Sequence, residues 1–304
     1  MRLKSGPLSL VYWRWEGQRG QTPVLLLHGG LDHARAWDET CAALAADRPV
    51  LALDLRGHGD SDWSPEGAYD PPYYLIDIVA LLKLVGPCHI VAHSMGANLT
   101  LRLAAAMPDL MQRLVLVEGV LGEGLFRADK ADVDPRMQAW VDEMKLMAAA
   151  SPAARTRMWL EQRAALAAFP TRHYRDIDEA VDRLLDDQDK RLSPAQARHL
   201  AETGMKRVEG GLVWKFDPLV RGRFAIDFTA TQMAELWRAA PQPMLHIYGS
   251  RSWAYPLDPD QRAHFPNAEF AVIEGAGHWV HLNQPQQFIA RVREFLREGK
   301  NERL

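Results

Sequence analysis

The sequence has few cysteines, no block of basic residues and no long apolar run. Its 304 residues include two cysteines, Cys41 and Cys88, whose spacing matches no metal site. A chain of this length buries enough apolar surface to fold without disulfides, so we expect both to be reduced packing residues in a cytoplasmic protein. The first residues lack the apolar stretch of a signal peptide, and no run is long enough to span a bilayer.

The charge balance is nearly even. Lysine and arginine total 36 against 39 aspartate and glutamate residues, which gives a formal net charge of -3. Without a basic patch, the sequence predicts no nucleic-acid partner, and without an apolar span it predicts no membrane partner. Neither repeats nor low-complexity segments occur, and the sequence leaves the oligomeric state open.

Buried-strand patterns alternate with helical patterns at both ends of the chain. Strands are predicted in the runs LSLVYWRW, PVLLLHGG, PVLALDL, HIVA, RLVLV, PMLHIYG and AEFAVIE. This alternation predicts an α/β fold with a mostly parallel sheet flanked by helices, formed by residues 1–120 and 241–304. Residues 121–240 are mostly helical in pattern, with one possible short strand at 211–216. Such an insertion predicts a helical cap over the carboxyl ends of the strands, where open α/β sheets bind ligands.

A short apolar run turns into a helical pattern around Ser94. Residues 89–92 predict a buried strand and residues 96–103 a helix, and the small residues Ala92 and Gly96 flank the serine. A tight strand-to-helix turn strains its middle residue and leaves no room for bulky neighbours. The pattern is typical of a nucleophile elbow, G-x-S-x-G, although Ala92 replaces the first glycine. A serine that caps a helix is the alternative interpretation.

Four motifs at predicted strand ends resemble those of α/β-hydrolases. They are HGG at 28–30, DLRGHGDSD at 54–62, AHSMG at 92–96 and GAGHWVHLNQP at 275–285. The resemblance covers nearly the whole chain and implies an α/β-hydrolase sheet with a helical cap inserted after its sixth strand. Within the superfamily, the segment ETGMKRVEGGLVWKFDPLVRGR is similar to the serine hydrolase-like proteins.

The resemblance implies a nucleophile and a general base. It assigns the nucleophile to Ser94, which attacks well only after a base removes its proton. It assigns that base to His278, in the glycine-bounded loop after a late strand, because an imidazole shuttles protons near neutral pH. His281, three residues later, and His93, beside the serine, are the alternative bases.

The same resemblance implies an oxyanion hole made of two backbone amides. One is the amide of Met95, the residue after the nucleophile, and the other is that of Gly30 in the first loop. The amide of Leu31 is the second choice for the first loop. Losing one such donor typically costs roughly 10²- to 10³-fold in rate.

The third triad member departs from the family pattern. Most such hydrolases carry an aspartate three residues after the glycine that ends the seventh strand, and here that position is Ser252. Glu118, at the end of the sixth strand, occupies an alternative position used within the family and is the favoured acid. Asp258 or Asp260 could instead fold back from the longer loop. A triad without an acid loses on the order of 10⁴ in rate, so a weak or inactive protein is the third case.

The leading function is a serine hydrolase that cleaves a carboxylic ester or lactone through an acyl-enzyme, without a cofactor. The alternative is a degenerate hydrolase that binds a small molecule and turns it over slowly. Metal-assisted hydrolysis is a third hypothesis, but the candidate ligands lack a standard zinc spacing, so we expect no metal. Those candidate ligands are His28, Asp32, His33, Asp54, His58 and Asp60.

An apolar small-molecule substrate is expected because large apolar side chains are frequent in the predicted cap and in the loops near the motifs. The candidate substrate-binding residues are Leu31, Trp140, Met144, Trp159, Trp214, Trp253 and Trp279. Packing in the hydrophobic core is the alternative role for the tryptophans and methionines of the cap.

Overall fold

The computed structural model describes residues 1–120, 139, 142–143, 145–147, 149–187, 190–222, 228–252 and 259–297. Its strands are β1 (Arg2–Ser5), β2 (Leu8–Trp15), β3 (Val24–Leu27), β4 (Val50–Leu53), β5 (Cys88–His93), β6 (Met111–Val117), β7 (Met205–Val208), β8 (Gly211–Trp214), β9 (Met244–Gly249) and β10 (Ala268–Ile273). The predicted strands are all present, and β1 and β7 are additional.

Helices follow most of the strands of the main sheet. They are α1 (Asp38–Ala45), α2 (Pro71–Val85), α3 (Met95–Ala106), α4 (Pro152–Ala168), α5 (Ile177–Asp186), α6 (Pro194–Gly204), α7 (Ala230–Ala239), α8 (Pro259–Arg262), α9 (Val280–Asn283) and α10 (Pro285–Arg297). Short 3₁₀ turns lie at Ala34–Trp37, Pro108–Leu110 and Pro218–Arg221. None of the helices within the described ranges is both long and apolar enough to cross a membrane.

Eight strands form one sheet in the order β1-β2-β4-β3-β5-β6-β9-β10. The strands from β4 to β10 in this order pair in parallel, whereas β1 and β2 pair antiparallel. The mostly parallel sheet predicted from the sequence is therefore confirmed. Because crossover connections place helices on both faces, such a sheet is buried on both sides.

Alternate side chains of the central strands face two separate apolar clusters. In β3, Leu25 and Leu27 join one cluster with α2, α3 and α7, whereas Val24 and Leu26 join the other with α1 and α10. All four leucine and valine side chains of this strand are fully buried. This two-sided burial explains why the strand reads as an unbroken apolar run instead of an alternating one.

The chain between β6 and β9 adds a smaller layer. Helices α5 and α6 pack against the β7–β8 hairpin around a third cluster that includes Tyr174, Leu200 and Leu212. Helix α7 does not join this layer. It packs beside α3, where Met233 and Trp237 belong to the same apolar cluster as Leu25 and Leu27. Of the predicted cap, residues 121–138 lie outside the described part of the chain.

Candidate active site

Ser94 lies at the turn between β5 and α3. Its backbone has φ 50° and ψ -114°, a left-handed conformation that a residue other than glycine adopts at a cost in free energy. The side chain is partly exposed, while its amide donates a 2.8 Å hydrogen bond to the carbonyl of Val117. A Cβ at Gly96 would lie 2.7 Å from the carbonyl oxygen of His28, so only glycine fits there. The structure thus places Ser94 in the strained turn that an elbow requires.

The first glycine loop approaches the serine closely. A Cβ at Gly29 would lie 3.2 Å from Cβ of Ser94, and one at Gly30 would face Sδ of Met95 at 4.0 Å. In the described part of the chain, the amides of Gly30 and Met95 donate no hydrogen bond to another residue. The amide of Leu31, by contrast, donates to Nε2 of His58 at 3.2 Å.

His278 and Glu118 are in direct contact. Nδ1 of His278 lies 3.1 Å from Oε2 of Glu118, and both side chains are buried. Glu118 follows β6 with φ 53°, and its amide donates to the carbonyl of Ile247 in β9 at 3.0 Å. This backbone turns the carboxylate across the ends of β6 and β9 toward the His278 loop. The favoured acid of the sequence analysis therefore lies within hydrogen-bonding distance of the favoured base.

Two further donors hold the Glu118 carboxylate. The amide of Gly249 donates to Oε1 at 2.7 Å, and the hydroxyl of Ser252 donates to Oε2 at 2.6 Å. We predicted neither contact from the sequence, where Ser252 counted only as a missing aspartate. A hydroxyl at the position of a lost acid, together with a carboxylate at a neighbouring strand end, was the available signal.

His93 fixes the backbone of the His278 loop. Nε2 of His93 lies 3.0 Å from the carbonyl oxygen of His278, so this nitrogen carries a proton and donates. The two rings lie 4.7 Å apart, which brings the loop next to the residue before Ser94. Burial, and after it the positive charge of Lys190, lowers the pKa of His278 below its ordinary value. His278 is therefore neutral at neutral pH, as a general base must be.

The alternative residues have other surroundings. His281 stacks on Trp37 with ring centres 3.9 Å apart, and neither of its buried nitrogens has a hydrogen-bond partner within the described chain. Asp260 is exposed on α8, and Asp258 lies outside the described residues.

Several of the candidate metal ligands of the first loops form hydrogen bonds to the backbone. Nε2 of His28 accepts from the amide of Leu55 at 3.0 Å. Asp54 accepts from the amides of Ala34 at 2.7 Å and Asp60 at 3.1 Å. Across the described ranges, no three histidine, cysteine, aspartate or glutamate side chains are grouped so that they could hold a metal ion.

Of the candidate substrate-binding residues, two lie beside the glycine and His278 loops, two lie between β6 and β9, and three are outside the described residues. Leu31 is exposed beside the first glycine loop with φ 61°, and Trp279 is half-buried directly after His278. Trp159 lies on α4 beneath Arg163, and Trp214 donates to the hydroxyl of Tyr174 at 3.2 Å within the smaller layer. The predicted residues Trp140, Met144 and Trp253 lie outside the described residues.

Known proteins resemble this chain over most of its length. The sequence model of the alpha/beta hydrolase family matches residues 24–292. The chain is 27% identical to the mouse (Mus musculus) sn-1-specific diacylglycerol lipase ABHD11 over 95% of its own length and 86% of that protein. It is 24% identical to the serine hydrolase-like protein of Danio rerio, covering 93% of this chain and 86% of that protein. This match confirms the similarity inferred from the cap sequence.

A third relative has a solved structure. The chain is 28% identical to the esterase Rv0045c of Mycobacterium tuberculosis over 97% of this chain and 88% of that protein. A structure of this M. tuberculosis esterase superposes with a TM-score of 0.70 at 25% identity, covering 97% of this chain and 91% of that chain.

Proposed function

The chain belongs to the α/β-hydrolase family, and from that premise we propose that it is a serine hydrolase that cleaves carboxylic esters through an acyl-enzyme. Ser94 is the nucleophile, His278 the general base and Glu118 the acid. The observation that carries the proposal is the 3.1 Å contact between Nδ1 of His278 and Oε2 of Glu118. It supplies the carboxylate that the Ser252 position lacks.

Each residue has a defined role in the reaction. The hydrogen bond from Nδ1–H of His278 to Glu118 selects the tautomer whose Nε2 carries the lone pair, and this nitrogen takes the proton from Ser94. The serine oxygen attacks the ester carbonyl, and the tetrahedral intermediate expels the alcohol, which receives the proton from His278. A water molecule, activated by the same base, then hydrolyses the acyl-enzyme and releases the acid.

The amides of Gly30 and Met95 stabilise the oxyanion. Both stand beside Ser94 and form no hydrogen bond with another residue in the described chain, so they remain able to bind the developing charge. The amide of Leu31 is less suited because it already donates to His58. The substrate is a small-molecule ester, a class supported by the printed names of the esterase and lipase relatives. A lactone would undergo the same chemistry.

Labelling with a fluorophosphonate, combined with hydrolysis of a short p-nitrophenyl ester, tests the proposal. The wild-type protein should be labelled by the fluorophosphonate and should hydrolyse the ester. The Ser94→Ala variant should lose the label and nearly all hydrolysis. Ser9→Ala, on strand β2, is the control variant and should retain both. A folded wild-type protein that neither labels nor hydrolyses would favour the degenerate-hydrolase alternative, in which the chain binds a small molecule.

A further inference from the structure

A lysine that the proposed mechanism does not use lies beside the candidate active site. Nζ of Lys190 is 4.2 Å from the ring centre of Trp279. That ring is in turn 5.1 Å from the ring of His278, and the two planes are nearly perpendicular at 89°. The ammonium group is therefore separated from the general base by one aromatic side chain.

The backbone around Lys190 is tied to the His278 loop. Nδ2 of Asn283 donates to the carbonyls of Lys190 at 2.8 Å and Arg191 at 3.1 Å. Oδ1 of the same side chain accepts from the amide of Gly277 at 2.8 Å. Arg191 has φ 48°, a left-handed conformation that persists only where surrounding contacts impose it. The fold thus holds Lys190 at a fixed place relative to His278.

Among the described residues, the ammonium group has no close counter-ion. In the part of the chain that the structure describes, no carboxylate lies within 4.0 Å of Nζ and no hydrogen bond from it is formed. Its longer-range electrostatic partners are Asp32 and Asp187. One oxygen of Asp32 accepts from the amide of His33 at 2.9 Å, and the other is buried without a hydrogen-bond partner among the described residues.

A partly buried charge without a close partner is costly, and an anion that binds beside it removes that cost. Burial lowers the pKa of Lys190 and raises the pKa of Asp32 to about 6, and the attraction between the two charges offsets these shifts only in part. The face of Trp279 next to the ammonium provides an apolar wall for a methylene chain. A ligand with a short chain and a terminal anion fits both features.

We propose that Lys190 binds a carboxylate of the substrate, so that the preferred substrate is an ester that also carries a free carboxylate group. This inference rests on the proposed function, since it concerns the pocket of the same Ser94 site. A charge-assisted hydrogen bond from Lys190 to the carboxylate fixes the position of the ester while Trp279 contacts the chain between them. The competing explanation is a purely structural attraction between Lys190 and Asp32.

Matched ester pairs test the proposal. On the acyl side, the mono-4-nitrophenyl esters of succinate, glutarate and adipate are compared with 4-nitrophenyl butanoate, pentanoate and hexanoate. On the alcohol side, 4-acetoxybenzoate is compared with phenyl acetate. The succinate and glutarate monoesters also hydrolyse spontaneously by intramolecular attack of the carboxylate, and the Ser94→Ala protein provides the blank to subtract. The wild-type protein should prefer the carboxylated member of at least one pair.

Lys190→Met should lower kcat/KM for the preferred carboxylated ester by roughly 10- to 100-fold, which is the effect expected from losing a hydrogen bond to a charged group. Most of this loss should be an increase in KM. At a pH above the acidic limb of His278, its kcat/KM for the neutral partner should change little, and Lys190→Arg should retain much of the preference. Lys206→Met is the matched control, because Nζ of Lys206 lies 4.1 Å from the Trp63 ring but its side chain is exposed. It should retain the wild-type preference.

The outcomes separate this proposal from the proposed function. A wild-type protein that labels at Ser94 and hydrolyses both members of every pair equally overturns the carboxylate site but leaves the serine hydrolase intact. Loss of thermal stability in Lys190→Met and in Asp32→Asn, without any change in preference, also overturns it in favour of a structural pair. If Lys190→Met does not fold, inhibition of the wild-type protein decides: glutarate should inhibit competitively and pentanamide should not, and equal inhibition overturns the proposal.

Discussion

The hydroxyl of Ser252 donates a 2.6 Å hydrogen bond to Oε2 of Glu118, the same oxygen that lies 3.1 Å from Nδ1 of His278. The other carboxylate oxygen accepts from the amide of Gly249 at 2.7 Å. The position where the family pattern places an aspartate thus holds a donor for a carboxylate that comes from another strand. In the proposed mechanism, Ser252 is a positioning residue for the relocated acid.

Removal of that donor should slow the reaction without weakening substrate binding. Ser252→Ala leaves Glu118 with fewer donors and His278 less firmly oriented, so we expect kcat to fall about tenfold while KM changes little. The control is Ser250→Ala in the same loop, whose hydroxyl accepts from the amide of Gly275 at 2.9 Å. Equal losses in both variants would indicate that the loop, and not the bond to Glu118, determines the rate.

The acid should also be movable between its two positions. Glu118→Ala removes the carboxylate from β6, and adding Ser252→Asp returns one to the position that the family usually uses. Because Ser252 Oγ and Nδ1 of His278 both contact Oε2 of Glu118, we expect the double variant to recover at least tenfold in kcat over Glu118→Ala alone. A double variant no faster than the single one would mean that the Ser252 position cannot reach His278 productively.

Much of this site was predictable because its parts are local in sequence. The elbow at Ser94 and the loops at Gly30 and His278 each follow a buried apolar strand, and parallel strands bring their carboxyl ends to one edge of a sheet. Glu118 was predictable for the same reason. The edge strand β1 was missed, because the four-residue run Arg2–Ser5 contains one apolar residue, Leu3, and so shows no apolar pattern.

Two other contacts between distant segments were not predicted. Ser252 meets Glu118 only because β6 and β9 are neighbours in the sheet, an order that the sequence does not specify. Lys190 reaches Trp279 through a loop of the smaller layer, whose position depends on Asn283. Helical periodicity revealed that layer but carried no information about which loop faces the site.

The charge of Glu118 should matter more than its shape. Glu118→Gln retains the size of the side chain but cannot stabilise the imidazolium form of His278, so we expect kcat to fall roughly 10³- to 10⁴-fold with a small change in KM. Asp260→Asn, on the exposed helix α8, is the matched control and should be nearly as active as the wild type. A mild effect of Glu118→Gln would reassign the acid to Asp258, outside the described residues.

The acidic limb of the pH–rate profile should lie below the ordinary histidine value. The base acts only when neutral, and burial together with the charge of Lys190 lowers the pKa of His278 from 6.5. Activity, measured as kcat/KM on a neutral ester, should therefore persist as the pH falls through 6.5 and decline only at lower pH. Lys190→Met should move this limb to higher pH, whereas His281→Ala should leave it in place. A limb at or above the ordinary value would show that His278 is solvated or is not the base.

A second histidine should limit stability in acid. His246, in the centre of β9, is fully buried between Phe265 at 4.5 Å and Phe270 at 5.0 Å, and its two ring nitrogens have no hydrogen-bond partner within the described chain. Burial lowers its pKa from 6.5 to about 3. Below pH 6.5 the unfolded chain therefore binds a proton that the folded protein excludes, and the free energy of unfolding falls as the pH decreases toward 3.

His246→Leu should remove this penalty. At pH 7 the variant loses two buried nitrogens without partners, so we expect its free energy of unfolding to rise by about 1 kcal/mol. At pH 5 the gain should be about 2 kcal/mol larger. At this pH His246 binds a proton only in the unfolded wild-type chain, which favours unfolding, and the leucine variant has no such group. Urea denaturation at both pH values measures the difference, with Met244→Leu in the same strand as the control. A gain that is equal at the two pH values would show that His246 titrates in the folded protein as it does in the unfolded chain.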